Sequence, residues 1–272
     1  MSGADNCRYG GHSACVQVSA PGLPALVLDC GTGAKRLGRE LLEKGDTEIV
    51  VLFSHTHMDH LFALPFFDPI QSPRCSVRLA VPAASTMEAR NKIGRYLNGV
   101  FHPLRAGELG ATVSFQAVAP STQFNVGEYV IQTLRLVHPG GAIGYRISLG
   151  DRSICYLTDT GPFASAGEGL IVDEPPAQRE PELVDFVRGS DVLIMDTTFS
   201  QEEYLHKMTW GHCYPEYAVK LGEVAEVGEV LLFHHGPDAT DDEMDTLAAR
   251  WESHTAPAVR PAKEGMVVDL SG

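Results

Sequence analysis

The sequence predicts an α/β chain in which β-sheets pack on each other with helices outside. Apolar, β-branched runs of strand length fall into two groups, and helical patterns lie between and after them. A hydrophobic fraction of 44% is ample for a core of that kind. No Pro/Ser-rich, repeated or low-complexity stretch interrupts the 272 residues, so a single domain over 1–272 is expected.

The elements follow in order. Cys15 to Val18 and Ala25 to Leu28 read as short strands separated by the turn pair Pro21-Gly22. Asp29-Cys30-Gly31-Thr32-Gly33 breaks the chain, and Ala34 to Lys44 reads as a helix with Leu37, Leu41 and Leu42 on one face. Ile49 to Phe53 is an apolar strand, Ser76 to Val81 another, and Thr86 to Asn98 a helix. Between Thr112 and Asp159 the strand signals crowd together. Val130 to Val137 runs into the turn His138-Pro139-Gly140-Gly141, and Gly144 to Ile147 and Ile154 to Leu157 follow. Gly161 to Glu180, rich in Gly, Pro, Ala and Glu, is expected to be a long surface loop. Val192 to Met195 is a buried-type strand ending on Asp196, Pro215 to Val224 a helix, and Val230 to Phe233 a strand ending on His234-His235. Thr240 and Glu243 make a capping box for a last helix with Met244, Leu247, Ala248 and Trp251 along its apolar stripe.

The formal charge of −14 sets 35 acidic against 21 basic residues, a surface that would repel a long nucleic acid rather than hold its phosphates. Small substrates remain open, because bound metal ions reverse the field inside a pocket. The six cysteines are scattered without a Cys-x-x-Cys pair and mostly have apolar neighbours, as packed thiols do. The first residues carry neither a basic start nor an apolar core for export, and no apolar run reaches the length of a membrane span. A soluble, reducing, cytoplasmic setting is expected.

Ser54 to His60 reads Ser-His-Thr-His-Met-Asp-His, so one strand delivers three imidazoles and a carboxylate into one loop. A hydrophobic core has no partners for that cluster, whereas a divalent metal partners all four. In an extended loop His55 and His57 point the same way and can share an ion, with His138 as third ligand. Asp59 and His60, beyond the turn, can serve a second ion with His234, and Asp159 is the natural bridging carboxylate. Asp59 also counts among the residues expected to take part in catalysis. Asp29, His55, His138, Asp159, Asp196 and His234 each stand just beyond the end of an apolar strand, where scaffolds present chemistry. Two such ions hold a shared water or hydroxide in their open positions, which predicts hydrolysis. Zinc fits the donor set, and so do manganese and iron.

Asp29, the His55/His57/Asp59/His60 loop, His138, Asp159 and His234 stand in the order of the five motifs of the metallo-β-lactamase fold superfamily, which the chain resembles from about Tyr9 onward. The resemblance implies an αββα sandwich, two mixed β-sheets flanked by helices. Two stretches look like the phosphodiesterase and ribonuclease Z branch: His138-Pro139-Gly140-Gly141 leading to Gly144-Tyr145-Arg146, and Gly211-His212-Cys213 followed by a helix and Leu231-Leu232-Phe233-His234-His235. In that branch a His in the position of His212 assists the leaving group, and an acidic residue matching Asp196 orients it. The resemblance gives Asp29 a supporting role behind the metal loop through hydrogen bonds.

Duller readings stand beside these. His138 could be a turn residue, Asp159 a turn cap, and His212 a satisfied surface histidine. Of His234 and His235, the spacing favours His234 as ligand and leaves His235 for support or substrate contact. Cys213 could be a nucleophile, but a metal hydroxide fills that role and a packed thiol fits better. His12, His102, His206 and His254 read as ordinary, and Arg146 as either a substrate contact or a structural ion pair. Relatives of this kind begin with an extra strand that Met1 to Arg8 is too short and polar to replace. Either the sheet lacks an edge strand or another chain covers it, so a homodimer is a fair guess. No basic, Gly-Pro-rich arm for tRNA is present.

The expected function is a dinuclear metal-dependent hydrolase of a small phosphodiester such as a cyclic nucleotide. The alternatives are thioester, lactone or β-lactam hydrolysis, RNA processing of ribonuclease Z type, and a metal-stabilised nucleotide-binding module without turnover.

Overall fold

Two groups of strands become two sheets, each with its own apolar core. The computed structural model describes residues 3–162 and 180–271. The chain divides into two compact units, His12–Glu128 (the N-unit) and Met1–Gly11 with Tyr129–Gly272 (the C-unit).

The N-unit contains β1 (Val16–Val18), β2 (Ala25–Leu28), α1 (Ala34–Lys44), β3 (Glu48–Leu52), α2 (Met58–Leu61), α3 (Asp68–Gln71), β4 (Ser76–Pro82), α4 (Thr86–Tyr96), β5 (Thr112–Val118) and β6 (Gln123–Val126). Its sheet runs β1-β2-β3-β4-β5, with β1 antiparallel to β2 and the other pairs parallel. Parallel neighbours need crossovers, which α1 and α4 supply. Val27, Val51, Val77 and Leu79 from the strands pack with Ala34, Leu41, Leu64, Phe67 and Ile93. Gly38 lets α1 approach closely, since a Cβ there would lie 2.8 Å from Phe67 Cδ2 and 2.9 Å from the Asp68 nitrogen. Helix α1 stops at Gly45 in the left-handed region (φ 86°), and Ser85 caps α4 by accepting from the Glu88 N–H at 3.2 Å.

The C-unit contains β7 (Tyr129–Leu136), β8 (Ala142–Leu149), β9 (Arg152–Leu157), α5 (Pro181–Val187), β10 (Val192–Asp196), α6 (Gln201–Lys207), α7 (Pro215–Val224), β11 (Glu229–Phe233), α8 (Asp241–Trp251) and β12 (Ala258–Pro261). Its strands run in the order β12-β11-β10-β9-β8-β7. Those from β9 to β12 are parallel, while β7, β8 and β9 alternate. Every residue of β10 is buried, as the interior of a parallel sheet requires. Leu193, Met195, Val230 and Leu232 pack with Val184, Ala218, Leu221 and Cys213. Both sheets are therefore mixed, as expected.

Direction decides where the chemistry gathers. Strands β7, β9, β10 and β11 all point one way, so His138, Asp159, Asp196 and His234 reach the same edge of the C-unit sheet. In the N-unit, Leu28 pairs with Leu52, which puts Asp29 and the His55 loop side by side.

Some boundaries differ from the sequence reading. Asp196 is the last residue of β10 rather than the residue beyond it, and β8 begins at Ala142, two residues before Gly144. Helices α5 and α6 and strand β12 carry short patterns that the sequence reading passed over. The start of the chain packs on α8: the backbone N–H groups of Arg8 and Tyr9 donate to Asp241, and the Arg8 guanidinium meets Asp242 at 2.6 Å and Asp245 at 2.7 Å. Of the loop expected over Gly161 to Glu180, residues 163–179 lie outside the described residues. Among the described residues no helix is long and apolar enough to cross a membrane.

Candidate metal centre

Each unit brings its share of the candidate residues together around one buried carboxylate. In the N-unit that carboxylate is Asp29, fully buried after β2. It accepts from the Ser54 N–H at 2.7 Å, the Ser54 hydroxyl at 2.7 Å and His60 Nδ1 at 2.8 Å. The Ser54 oxygen, having given its proton to Asp29, accepts from His55 Nδ1 at 3.0 Å. Because Nδ1 donates in both rings, the lone pair of His55 and of His60 falls on Nε2. The rings of His57 and His60 lie 4.4 and 4.3 Å from that of His55, and His60 Nε2 is 3.3 Å from Asp59 Oδ2. His55 and His60 are buried, whereas His57 and Asp59 are exposed.

Backbone packing holds this loop still. The Cys30 N–H donates to the His60 carbonyl at 2.8 Å, and the Ser13 hydroxyl donates to the Asp59 carbonyl at 2.6 Å. At Gly31 a Cβ would come within 2.3 Å of that same Asp59 carbonyl, so only glycine permits the approach.

In the C-unit the corresponding carboxylate is Asp196, also fully buried. It accepts from His212 Nδ1 at 2.7 Å, the Thr198 N–H at 2.9 Å and the Cys213 N–H at 3.2 Å. The Thr198 hydroxyl donates to the His234 carbonyl at 2.8 Å and accepts from His234 Nδ1 at 2.9 Å. His138 Nδ1 donates to the Gly211 carbonyl at 2.9 Å. A carbonyl or carboxylate can only accept, so Nε2 again carries the lone pair in neutral His138, His212 and His234. The Nε2 atoms of His234 and His138 turn toward Asp159, 3.2 Å from its Oδ1 and 3.6 Å from its Oδ2 respectively. One ligand atom from each of Asp159, Asp196, His212 and His234 lies within 4.8 Å of the others, a group that could hold a metal ion.

Imidazoles with Nδ1–H engaged and Nε2 presented to carboxylates are what a divalent metal needs, since the partner on Nδ1 fixes the tautomer and raises ligand basicity. The residues fit the ion. His235 differs: its Nε2 donates to the Ala262 carbonyl at 3.1 Å, and burial pushes its pKa below the ordinary value. Its Nε2 carries the proton, unlike those of neutral His138, His212 and His234. Burial also pushes the Cys213 thiol well above its ordinary range, which fits a packed side chain rather than a nucleophile. Arg146 donates to the Phe186 and Arg188 carbonyls and to the Ser153 hydroxyl, a structural role.

Strain marks the same places. Asp29 (φ 58°), Asp159 (φ 49°) and His234 (φ 58°) are non-glycine residues in the left-handed region, each just past a strand. That conformation turns the side chain out of the alternation of the strand, and Asp and His tolerate it better than most. Ser54, Thr198 and Gly211 belong to the site as well and were missed by the sequence reading. The signal available was adjacency: each stands within two residues of a predicted site residue. Gly211 (φ 77°) is required, because a Cβ would lie 2.7 Å from His138 Nδ1 and 2.6 Å from Pro139 Cδ.

Comparison with known proteins agrees with this architecture. A family model described as the β-lactamase superfamily domain matches residues 25–235. Ribonuclease Z of Thermoplasma acidophilum is 22% identical over 265 residues, covering 83% of this chain and 81% of its own. The metallo-β-lactamase fold protein YhfI from Bacillus subtilis superimposes with a TM-score of 0.68 at 19% identity, over 97% of this chain and 93% of that one. The human short form of tRNase Z gives 0.66 at 18% identity, over 96% and 93%. The fold implies divalent metal ions, for which the His/Asp clusters supply donors. The chain belongs to the β-lactamase superfamily domain family, as a hydrolase of the metallo-β-lactamase fold.

Proposed function

We propose that the two units act as one domain, a dinuclear metal-dependent phosphodiesterase of small phosphodiesters such as cyclic nucleotides. The observation that carries this reading is the 2.7 Å bond between His212 Nδ1 and the buried Asp196, in a cluster with Asp159 and His234. His55, His57, His138 and Asp159 would hold one ion, and Asp59, His60, His234 and the shared Asp159 the other, zinc being the first choice. Bound there, the ions would lower the pKa of a water and neutralise charge on the phosphoryl oxygens.

The chain's own residues supply the rest. Asp196 holds the His212 ring with Nε2 free to carry a proton, and its charge stabilises the imidazolium. His212 then protonates the departing alkoxide, a step that a poor leaving group needs and a thioester or activated lactam does not. Asp29 fixes His60 directly, and His55 through Ser54, so the loop meets its ions already ordered.

Hydrolysis of bis(p-nitrophenyl) phosphate, with metal content measured on the same sample, tests the proposal. Turnover at about two metals per chain, lost on chelation, supports it. Full loading without turnover sinks it and favours thioester or lactone substrates, or binding alone. RNA processing is the second reading, favoured by ribonuclease Z relatives such as that of Bradyrhizobium sp. (strain ORS 278), 24% identical over 258 residues and covering 80% of this chain and 82% of its own. The net charge of −14 argues for the smaller substrate.

A further inference from the structure

Beside His212 the C-unit carries a feature that the reaction as described leaves unused. Four aromatic rings follow one another in contact. His234 stacks on His212 at 5.3 Å and 17°, Phe199 meets His212 edge to face at 5.5 Å, and Trp210 lies 6.3 Å beyond Phe199. The series runs from a candidate ligand out to the surface, where Trp210 is 59% exposed while Phe199 stays 7% exposed. Trp210 thus offers solvent an apolar ring with a polar N–H, a surface on which a planar group can stack.

A cation completes the feature. Lys207, the last residue of α6, places Nζ 4.7 Å from the Phe199 ring centroid and 5.7 Å from that of Trp210. Glu203, one helical turn back, steadies the ammonium at 3.4 Å. The Ser200–Glu203 capping box fixes the start of that helix, and left-handed Gly211 joins Trp210 to His212.

We infer that Phe199, Lys207 and Trp210 form a subsite for the leaving group of a linear phosphodiester, and that this group is a nucleotide carrying a phosphate of its own, which departs through its ribose hydroxyl with the proton given by His212, its base lying on Trp210 and an oxygen of its own phosphate facing Lys207. The inference rests on the phosphodiester reading. If His212 protonates the leaving oxygen, the departing half of the substrate lies next to His212, which connects through Phe199 to this indole and this ammonium. A planar base fits the exposed ring and a negative group fits the lysine. A simple alkyl alcohol would use neither.

Binding separates this inference from catalysis. In a metal-loaded Trp251→Phe variant Trp210 is the sole indole, because the chain has two tryptophans. Adenosine 5′-monophosphate should quench it and bind about tenfold more tightly than ribose 5-phosphate, which lacks the base. Calorimetry extends the comparison to other variants. Trp210→Ala should abolish the preference and Trp210→Phe should retain most of it, whereas Lys207→Met should weaken the monophosphate toward adenosine. Equal binding of the two phosphates, or a preference that survives Trp210→Ala, overturns the subsite. If bis(p-nitrophenyl) phosphate turns over without a base preference, the subsite alone is lost and the phosphodiesterase reading stands. A base preference without turnover overturns the leaving-group assignment instead.

Discussion

Asp29 and Asp196 invite comparison, because each is a fully buried carboxylate accepting three hydrogen bonds at a strand end, one in each unit. What they organise differs. Asp29 serves a single contiguous loop, Ser54 to His60, through its hydrogen bonds from Ser54 and His60. Asp196 ties together segments up to 17 residues away, and through Thr198 its neighbourhood reaches His234. The first carboxylate sets the tautomer of one proposed ligand and, through Ser54, of another. The second sets the tautomer of a proposed acid. On the proposed reading the same device serves metal affinity in one unit and proton transfer in the other.

The sharpest way to break that comparison is to make the same change in both places. Asparagine fills the same volume but points an NH2 group at the imidazole, which forces the proton onto Nε2. Asp196→Asn, like His212→Ala, should lower phosphodiester turnover by about 10²- to 10⁴-fold while metal content holds. Asp29→Asn should instead lower metal affinity by about 10- to 100-fold and cost stability, because a buried donor left unsatisfied costs about 1–3 kcal/mol. Metal analysis and thermal melts on the purified variants decide it. Equal loss of metal in both would end the distinction.

A smaller effect tests the packing behind His138. Gly211→Ala should destabilise the fold by about 1–3 kcal/mol, from the left-handed φ and the clash with Pro139 and His138 together. Gly150→Ala, also left-handed but with open space around it, should cost about 1 kcal/mol. Denaturant midpoints compare the two, and equal losses would mean that the close approach to His138 carries no energy.

Thr198→Val should cost about 1 kcal/mol and loosen His234, while His212 loses its 3.3 Å contact with the Thr198 hydroxyl but keeps the shorter bond to Asp196. A measurable drop in metal affinity with the pH profile of turnover unchanged is the expected pattern. The mildest test is acidity. His235 is held neutral by burial, so its folded pKa lies below the unfolded value of about 6.5. Its contribution to stability is present above that value and is lost as pH falls through the folded pKa. His235→Gln, which keeps an N–H for the Ala262 carbonyl, should flatten that part of the stability profile in melts between pH 7 and 5.

Much of this was legible in the residues themselves. Helices Ala34–Lys44 and Pro215–Val224 match their apolar patterns to the residue, because their ends are written in the chain as Gly45 beyond the one and Pro215 at the start of the other. The loop of candidate ligands was equally legible, since three imidazoles and a carboxylate in seven residues have few other uses. Ser54, Thr198 and Gly211 were not. Serine, threonine and glycine are common in any loop, and what makes these three matter is a hydroxyl or carbonyl meeting an imidazole Nδ1 from another residue. Strand β12 and helix α6 were missed because seven residues or fewer carry too little periodicity to stand out.

By itself, then, the sequence determined the donor types, their order along the chain and the strands that end in them. Those are local properties, set by side-chain chemistry and by apolar runs of a few residues. Tertiary structure alone decided which nitrogen of each imidazole carries its proton, which of two adjacent histidines turns toward Asp159, and where the indole of Trp210 stands. Each of those depends on a partner supplied by a distant stretch of chain: the Gly211 carbonyl for His138, the Ala262 carbonyl for His235, and Phe199 for Trp210. A hydrogen bond or ring contact between such stretches exists only once the sheet has aligned the strands that carry them.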